Sequence, residues 1–288
     1  MTLWLGLTLV TAVTFGVRDV SIKLYKNLGP YEIAAIELAW SLPFLAAGLA
    51  IIPTPRLDNA FWWTIIIAMP VELAAYFLYL HAIKLSPLSL TAPFLAFTPF
   101  FMVITGLIIL GEHITLWGGL GMTLIVGGSY LLNFSRTEAG LLHPWRALTR
   151  EKGSRLMLLV ALLYAFAAVI GKKAILLSSP LFFGYAFTLV FGITVLAMLI
   201  LTGKVRWREL PRHPGKGLWL TVLMLVQISF HCLAISQITA AYMIAAKRSS
   251  ILVSVFLGWL ILKEGNILGR GLATLFMFGG LLLIALLG

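Results

Sequence analysis

The chain has 288 residues, of which 61% are hydrophobic and 11% are charged, whereas a soluble domain carries roughly 25% charged residues. This composition excludes a water-exposed surface for most of the chain. The formal net charge is +11 and Cys232 is the single cysteine, which excludes an intrachain disulfide and a thiolate metal site.

Ten apolar runs have about the length needed to cross a bilayer as a helix, roughly 20 residues each. In chain order they cover residues 3–22, 31–51, 61–80, 86–110, 115–134, 156–177, 181–201, 218–236, 238–262 and 267–287. The runs are continuous rather than alternating, and backbone groups in lipid must bond internally, so they predict helices and not barrel strands. The sequence therefore predicts an all-α membrane protein with about ten transmembrane helices.

The chain repeats itself on either side of a polar connection. A shift of 152 residues lays Gly-Leu-Ile-Ile-Leu-Gly-Glu at 106–112 on Gly-Trp-Leu-Ile-Leu-Lys-Glu at 258–264. We expect a first five-helix repeat at 1–135, a connecting loop at 136–154 and a second repeat at 155–288. Because five is odd, the second copy enters the membrane from the opposite side. This predicts a 5+5 inverted repeat, an arrangement common in transporters.

Both halves resemble the EamA branch of the drug/metabolite transporter superfamily. The resemblance is carried by Ala82 to Pro87, Pro99, Gly111-Glu112, Gly118 to Gly128, Lys247 to Ser250, Gly258-Trp259, Lys263-Glu264 and Gly269 to Gly280. It implies a secondary transporter, often an exporter, with a central cavity lined mainly by the first four helices of each half. It implies nothing specific about the substrate.

Lys247 and Arg248 are the sharpest candidates for a substrate site. They lie ten residues into the run 238–262, where an ionisable side chain costs about 2.5–3.5 kcal/mol on insertion scales. One of them could bind a carboxylate or phosphate of the substrate, and Arg favours bidentate contact. The alternative is a structural pair with an acidic residue.

Glu72 is the main candidate for that acidic residue. It follows Pro70, which is expected to kink the third helix, and it could be either a counter-ion of the cations or a proton-coupling site. Glu37 has a weaker claim, and Arg18 and Asp19 lie nearer a helix end. Aromatic and polar side chains that could line the cavity are Trp40, Tyr76, Tyr79, His81, Tyr164, Gln227, His231 and Tyr242.

Two symmetric pairs fall near helix ends. Lys23 and Lys173 occupy matching repeat positions and could form a gate at either mouth of the pathway, although lysines there usually anchor a helix at the interface. Glu112 and Glu264 are interpreted as structural, since a carboxylate between two helices can accept the free amides of the next helix. The prolines of the fourth helix, Pro87, Pro93 and Pro99, suggest a bending element.

The sequence favours a secondary transporter of small polar or amphipathic metabolites, such as amino acids or organic anions. Export as the direction of transport is implied only by the resemblance. A flippase for a lipid-linked head group is the alternative, and an intramembrane lipid-modifying enzyme is a weaker one, since no catalytic motif is found. We expect no cofactor, no metal and no nucleic-acid partner. The chain lacks a Gly-Lys-Ser/Thr phosphate loop, so we expect no ATP-driven pumping. Transport would be proton-coupled or facilitative, by a monomer or homodimer.

The membrane orientation is open at this stage. Most basic residues follow the odd-numbered helices, and the positive-inside rule then places both termini outside the cytoplasm. The family resemblance more often implies termini inside. The expected location is a bacterial or archaeal plasma membrane.

Overall fold

A computed structural model describes residues 3–25, 27–85, 94–134, 152–203, 205, 207–262 and 271–288. Most of these residues form α-helices, a separate short 3-10 helix covers Trp207–Glu209, and there is no strand among the described residues. Pro87, Pro93, Glu264 and most of the predicted connecting loop lie outside the described residues.

The helices of the first half are α1 (Leu3–Leu24), α2 (Pro30–Ile51), α3 (Asn59–Leu85), α4 (Thr98–Leu110) and α5 (Leu116–Phe134). Those of the second half are α6 (Lys152–Leu176), α7 (Pro180–Thr202), α8 (Pro214–Ile235), α9 (Ala240–Lys247), α10 (Ser250–Leu262) and α11 (Gly271–Leu287). Since α9 and α10 follow each other within one apolar run, each half contributes five spans. The all-α, ten-span prediction is confirmed.

Local sequence explains where several helices begin and end. Proline opens α2, α7 and α8, a position where its missing N–H costs no intrahelical bond. Gly111 and Gly203 follow α4 and α7 with φ of 67° and 62°, a left-handed conformation that glycine adopts without a Cβ clash. These residues make short connections between spans.

Seven helices of the described chain are long and apolar enough to cross a membrane, and three shorter apolar helices accompany them. The shorter ones are Thr98–Leu110, Leu116–Leu131 and Ala273–Leu287. An even number of spans places both chain ends on one face of the membrane. We call that face side A and the opposite face side B.

The helix contacts follow the internal repeat. Helix α3 packs on α6 and its counterpart α8 packs on α1, while α4 packs on α6 and its counterpart α10 packs on α1. Equivalent helices also meet each other, since α2 packs on α7 and α5 on α11. Contacts that occur in such matched pairs are those expected of two copies related by a pseudo-twofold axis, as inverted-repeat transporters have.

Helices α5 and α11 approach closely at Gly121 and Gly280. A Cβ at Gly121 would lie 2.7 Å from the carbonyl oxygen of Gly280 and 2.8 Å from Cγ1 of Ile284. Small residues permit this kind of contact between membrane helices. Gly119, on the same helix, has no neighbouring atom within 4 Å of such a Cβ.

Gly121→Ala should therefore destabilise the protein, while Gly119→Ala should not. The added methyl at Gly121 meets backbone that cannot rotate away, and overpacking of this kind costs about 1–3 kcal/mol. Unfolding of the two purified variants in mixed micelles measures the difference. Equal stability of the two variants would contradict the close approach of α5 and α11.

Candidate functional site

The fourth and ninth spans both contain a tight turn, and the two turns match under the repeat. In the fourth span the Phe97 amide donates to the Phe94 carbonyl at 3.2 Å. In the ninth span the Ser249 amide donates to the Ala246 carbonyl at 3.0 Å. Bonds of this i to i+3 kind are 3-10 geometry, and within a helix they often mark a functional hinge. The ninth span, predicted as one continuous helix, is thus divided at Arg248–Ser249.

Arg248 joins the two turns. Pro99 has no N–H, so the carbonyl of Leu95, four residues earlier, cannot receive its usual helical bond. That carbonyl accepts bonds from Nη2 of Arg248 at 2.8 Å and from the Thr98 hydroxyl at 2.6 Å. The guanidinium is therefore anchored on the other repeat, and the proline of the fourth span creates its acceptor.

Lys247 has no carboxylate within 4.0 Å among the described residues. Its Nζ lies over the ring of Phe15, 4.9 Å from the ring centroid. Arg248 and Glu72 both interact with it electrostatically. A cation in this position is held partly by the aromatic face and remains available to an anionic ligand.

Glu72 lies on α3 and faces the cations across the interior. It interacts electrostatically with Lys247 and with Tyr164 of α6. It is not within ion-pair distance of a cation in the described chain. The sequence left Glu72 as either a counter-ion or a coupling site, and an electrostatic interaction with Lys247 fits both roles.

Several polar atoms are buried without a hydrogen-bond partner among the described residues. They include Oε1 of Gln227, Nδ1 of His231 and Nε of Arg248. Gln227 and His231 are four residues apart on α8 and so share one face of that helix, and His231 interacts electrostatically with Lys247. We call Glu72, Gln227, His231, Lys247 and Arg248 the central polar cluster. An unpaired buried polar group costs about 1–3 kcal/mol, so the cluster is suited to receive a polar ligand.

A second set of charges lies closer to side B. Arg18 of α1 donates from Nε and Nη2 to Oε1 and Oε2 of Glu37 on α2, at 2.7 and 2.5 Å. Beside them, Asp19 accepts a bond of 3.1 Å from Ser254 of α10. Sequence analysis assigned these residues only weak claims because each was placed near a helix end. One feature of the sequence could have indicated the pair: the first and second spans follow each other and carry Arg18 and Glu37, whose charges are opposite.

Tyr76 and Tyr79 connect the two groups of charges. Tyr76 interacts electrostatically with Arg18 and Glu37. Tyr79 interacts with Asp19, Arg18 and Arg248. Both side chains are half-buried. Polar groups therefore continue from the central polar cluster toward side B through the two tyrosines.

Two other aromatic candidates lie between helices instead. The Trp40 indole packs against Gly217 at the start of α8 and donates to the Leu210 carbonyl at 3.3 Å. The Tyr242 hydroxyl accepts a bond of 2.8 Å from the Thr115 amide, and its side chain is 2% exposed. Neither contacts the central polar cluster through a described hydrogen bond.

The suggested gate residues Lys23 and Lys173 are exposed and lie toward opposite ends of the bundle. The buried lysine is the neighbouring residue, Lys172. Its Nζ lies 2.5 Å from Oε1 of Glu112 and 2.5 Å from the Ile238 carbonyl. The structure therefore places one lysine of the matching pair toward each mouth, and Lys172 was not among the candidates from the sequence.

Glu112 accepts a backbone amide, as a structural carboxylate would, although not from the helix that follows it. Its Oε2 accepts a bond of 3.0 Å from the Ala240 amide at the start of α9. That helix belongs to the other repeat. Sequence order alone pointed to the nearer helix α5, whereas the inverted packing brings α9 beside Glu112. Glu264 lies outside the described residues.

Comparison with known proteins agrees with this architecture. Residues 2–134 match the family model of EamA-like transporters. A solved chain titled only "Crystal structure of protein" is similar over 99% of this chain and 96% of its own length, with a TM-score of 0.75 and 15% identity. That degree of identity establishes the shared fold alone. No curated protein matches this chain as a relative.

The ten apolar spans define an integral membrane protein, and its residues 2–134 carry the match to the EamA-like transporter family.

Glu37→Gln should lower the free energy of unfolding by about 3 kcal/mol, because it leaves the Arg18 guanidinium unpaired inside the bundle. The double variant Arg18→Met/Glu37→Leu removes both charges and should be more stable than Glu37→Gln alone. A double-variant cycle measured by unfolding in mixed micelles tests this. Simple additivity of the single changes would show that the pair is not coupled.

Proposed function

We propose that this protein is a secondary transporter that moves small polar or amphipathic metabolites bearing an anionic group, such as organic anions or amino acids, by alternating access. The observation that carries the proposal is the pair Lys247 and Arg248 at the turn of the ninth span. Both lie in the interior of the bundle, and neither has an ion-pair partner among the described residues.

The two cations would divide the work of binding. Arg248 is already fixed by its bond to the Leu95 carbonyl, so its remaining N–H groups have a defined direction. Lys247 is held by the Phe15 ring and by long-range attraction to Glu72, and it can turn toward a ligand. A carboxylate or phosphate would gain charge-assisted hydrogen bonds from both. Gln227 and His231 supply the further polar atoms that lack partners.

The paired turns give the transport cycle a mechanical basis. Both the fourth and the ninth span change to 3-10 bonding at matched positions, and the ligand-binding cations lie at one of these turns. Rocking of one repeat against the other about such a site is the usual form of alternating access. We infer that the two turns bend in opposite phases as the site opens to each side.

Direction, coupling and location belong to the proposal as well. We propose that the direction of transport is export, which the family resemblance favours, and that side B faces the cytoplasm. We propose a bacterial or archaeal plasma membrane as the location and Glu72 as the group whose charge balances Lys247 during the cycle. The family consists of transporters, which supports transport over enzymatic turnover of a lipid.

Transport should depend on both cations. In proteoliposomes, counterflow of a radiolabelled panel of organic anions and amino acids should identify a substrate. Lys247→Met and Arg248→Met should then each reduce its transport at least tenfold, equivalent to about 1.4 kcal/mol or more of lost binding. Lys216→Met is the matched control, because Lys216 lies at the side B end of α8 over the Tyr25 ring.

Normal transport by both Met variants would overturn the site assignment. Movement of a lipid-linked head group in place of every soluble solute would favour the flippase, and lipid turnover without transport would favour an enzyme.

The distribution of basic residues predicts on which side of the membrane the C-terminus lies. A fluorescent or phosphatase reporter fused after Gly288 should report a non-cytoplasmic C-terminus, because the basic loops lie on side B and the termini on side A. A fusion within the predicted loop 136–154 serves as the opposite control. A signal showing that the Gly288 fusion lies in the cytoplasm would reverse the assignment of the two sides. Export would then run from side A to side B.

A further inference from the structure

A compact set of bonds near side A ties three chain segments together. Lys172, near the end of α6, donates to Oε1 of Glu112 at 2.5 Å and to the carbonyl of Ile238 at 2.5 Å. The other carboxylate oxygen, Oε2, accepts the amide of Ala240 at 3.0 Å. One carboxylate and one ammonium thus connect the α4–α5 loop, the end of α6 and the segment that enters α9.

A second set of contacts lies beside the first. The Thr115 amide donates to the Tyr242 hydroxyl at 2.8 Å, and the Thr115 hydroxyl donates to the Leu287 carbonyl at 3.2 Å. The Tyr242 ring occupies the space that a side chain at Gly118 would need. The start of α5 is thereby joined to α9 and to the chain end on side A.

Apart from the bond between Lys172 and the Ile238 carbonyl, these bonds cross from one repeat to the other. Glu112 and Thr115 belong to the first repeat, whereas Lys172, Ala240 and Tyr242 belong to the second. Bonds within a repeat can survive rocking of the repeats, but bonds between repeats at a mouth must break when that mouth opens. Toward side B, the ion pair Arg18–Glu37 joins helices of the same repeat. The bonds described there between repeats, from Ser254 to Asp19 and from Trp40 to the Leu210 carbonyl, are hydrogen bonds and not ion pairs.

The chemistry of the pair suits it to reversible breaking. The side chains of Lys172 and Glu112 are 8% and 11% exposed, so both charges are largely dehydrated while they are paired. The attraction in a buried pair is offset by the dehydration of its two ions. If side A opened, water would reach both ions, and much of the lost attraction would be replaced by hydration. The closed and open arrangements can therefore lie close in free energy.

We propose that Glu112 and Lys172 form a latch that holds side A closed and that breaks each time the central polar cluster opens to that side. The proposal deepens the transport function and rests on it. Its consequence is a change in accessibility, which can be measured without knowing the substrate. Unlike Lys23 and Lys173, which lie toward opposite ends of the bundle, Glu112 and Lys172 are in direct contact at one end.

The test uses a reporter thiol in the central polar cluster. Cys232→Ser removes the native thiol, and Gln227→Cys introduces the reporter in the full-length protein. Right-side-out and inside-out vesicles are then exposed to a membrane-impermeant maleimide. In the parent, labelling from side A should be slow. Lys172→Met and Glu112→Ala should each raise the side A rate about tenfold, within the range of ordinary conformational couplings, with no increase from side B.

Matched variants separate a latch from general damage. Lys173→Met removes the same charge from the next residue, which is exposed, and should leave the rate unchanged. Lys172→Arg keeps the charge and should stay near the parent. Glu112→Gln keeps an acceptor for Ala240 but loses the ion pair, so its rate should fall between those of the parent and Glu112→Ala. Glu112→Gln also tests the latch if Lys172→Met or Glu112→Ala fails to fold.

Two results would overturn the latch. One is an unchanged side A rate in Lys172→Met, Glu112→Ala and Glu112→Gln. The other is faster labelling from both sides together with lower thermal stability, which would mean that the pair only supports folding. Transport separates the two proposals: the labelling shift without transport of any solute would leave the latch intact and contradict the transport function, and transport without the shift would contradict the latch alone.

Discussion

A polar group inside a bilayer has no water to bond with, so each one must find a partner within the protein, line a wet space, or raise the free energy of the fold. The structure meets this constraint differently at three depths. Near side A, Glu112 and Lys172 satisfy each other and two backbone groups. In the half toward side B, Arg18 and Glu37 form a bidentate pair. Between them, Lys247 and Arg248 have no ion-pair partner among the described residues, which makes the centre the place where a ligand would contribute most.

The inverted repeat lets similar sequences serve different purposes in the two halves. The turn in the fourth span and the turn in the ninth span have the same backbone bonds, yet Ala96 occupies the position that Arg248 occupies in the second copy. The first copy supplies a free carbonyl at Leu95, created by Pro99, and the second supplies the guanidinium that binds it. The two matched turns thus differ in chemistry, because the cationic side chain comes from the second copy.

Several residues show why part of the site could be predicted and part could not. Lys247, Arg248 and Glu72 could be identified from the sequence because an ionisable residue is easily recognised within a run of apolar residues. Trp40 and Tyr242 looked similar, but their polar atoms bond to Leu210 and Thr115, which are distant in the chain. Lys172 was overlooked because its sequence position suggests a helix end at the interface, and only its contact with Glu112 reveals a buried ion pair.

The sequence by itself determined the class of structure: long apolar runs require helices in lipid, and an odd number of spans per repeat requires inversion. Those properties depend on composition and counting along the chain. Tertiary structure decided which charges meet, because pairing depends on how helices from opposite repeats are rotated and offset against each other. Glu112 illustrates the difference, since the carboxylate was recognisable from its place between two helices, whereas its partners in α6 and α9 lie 60 and 128 residues away.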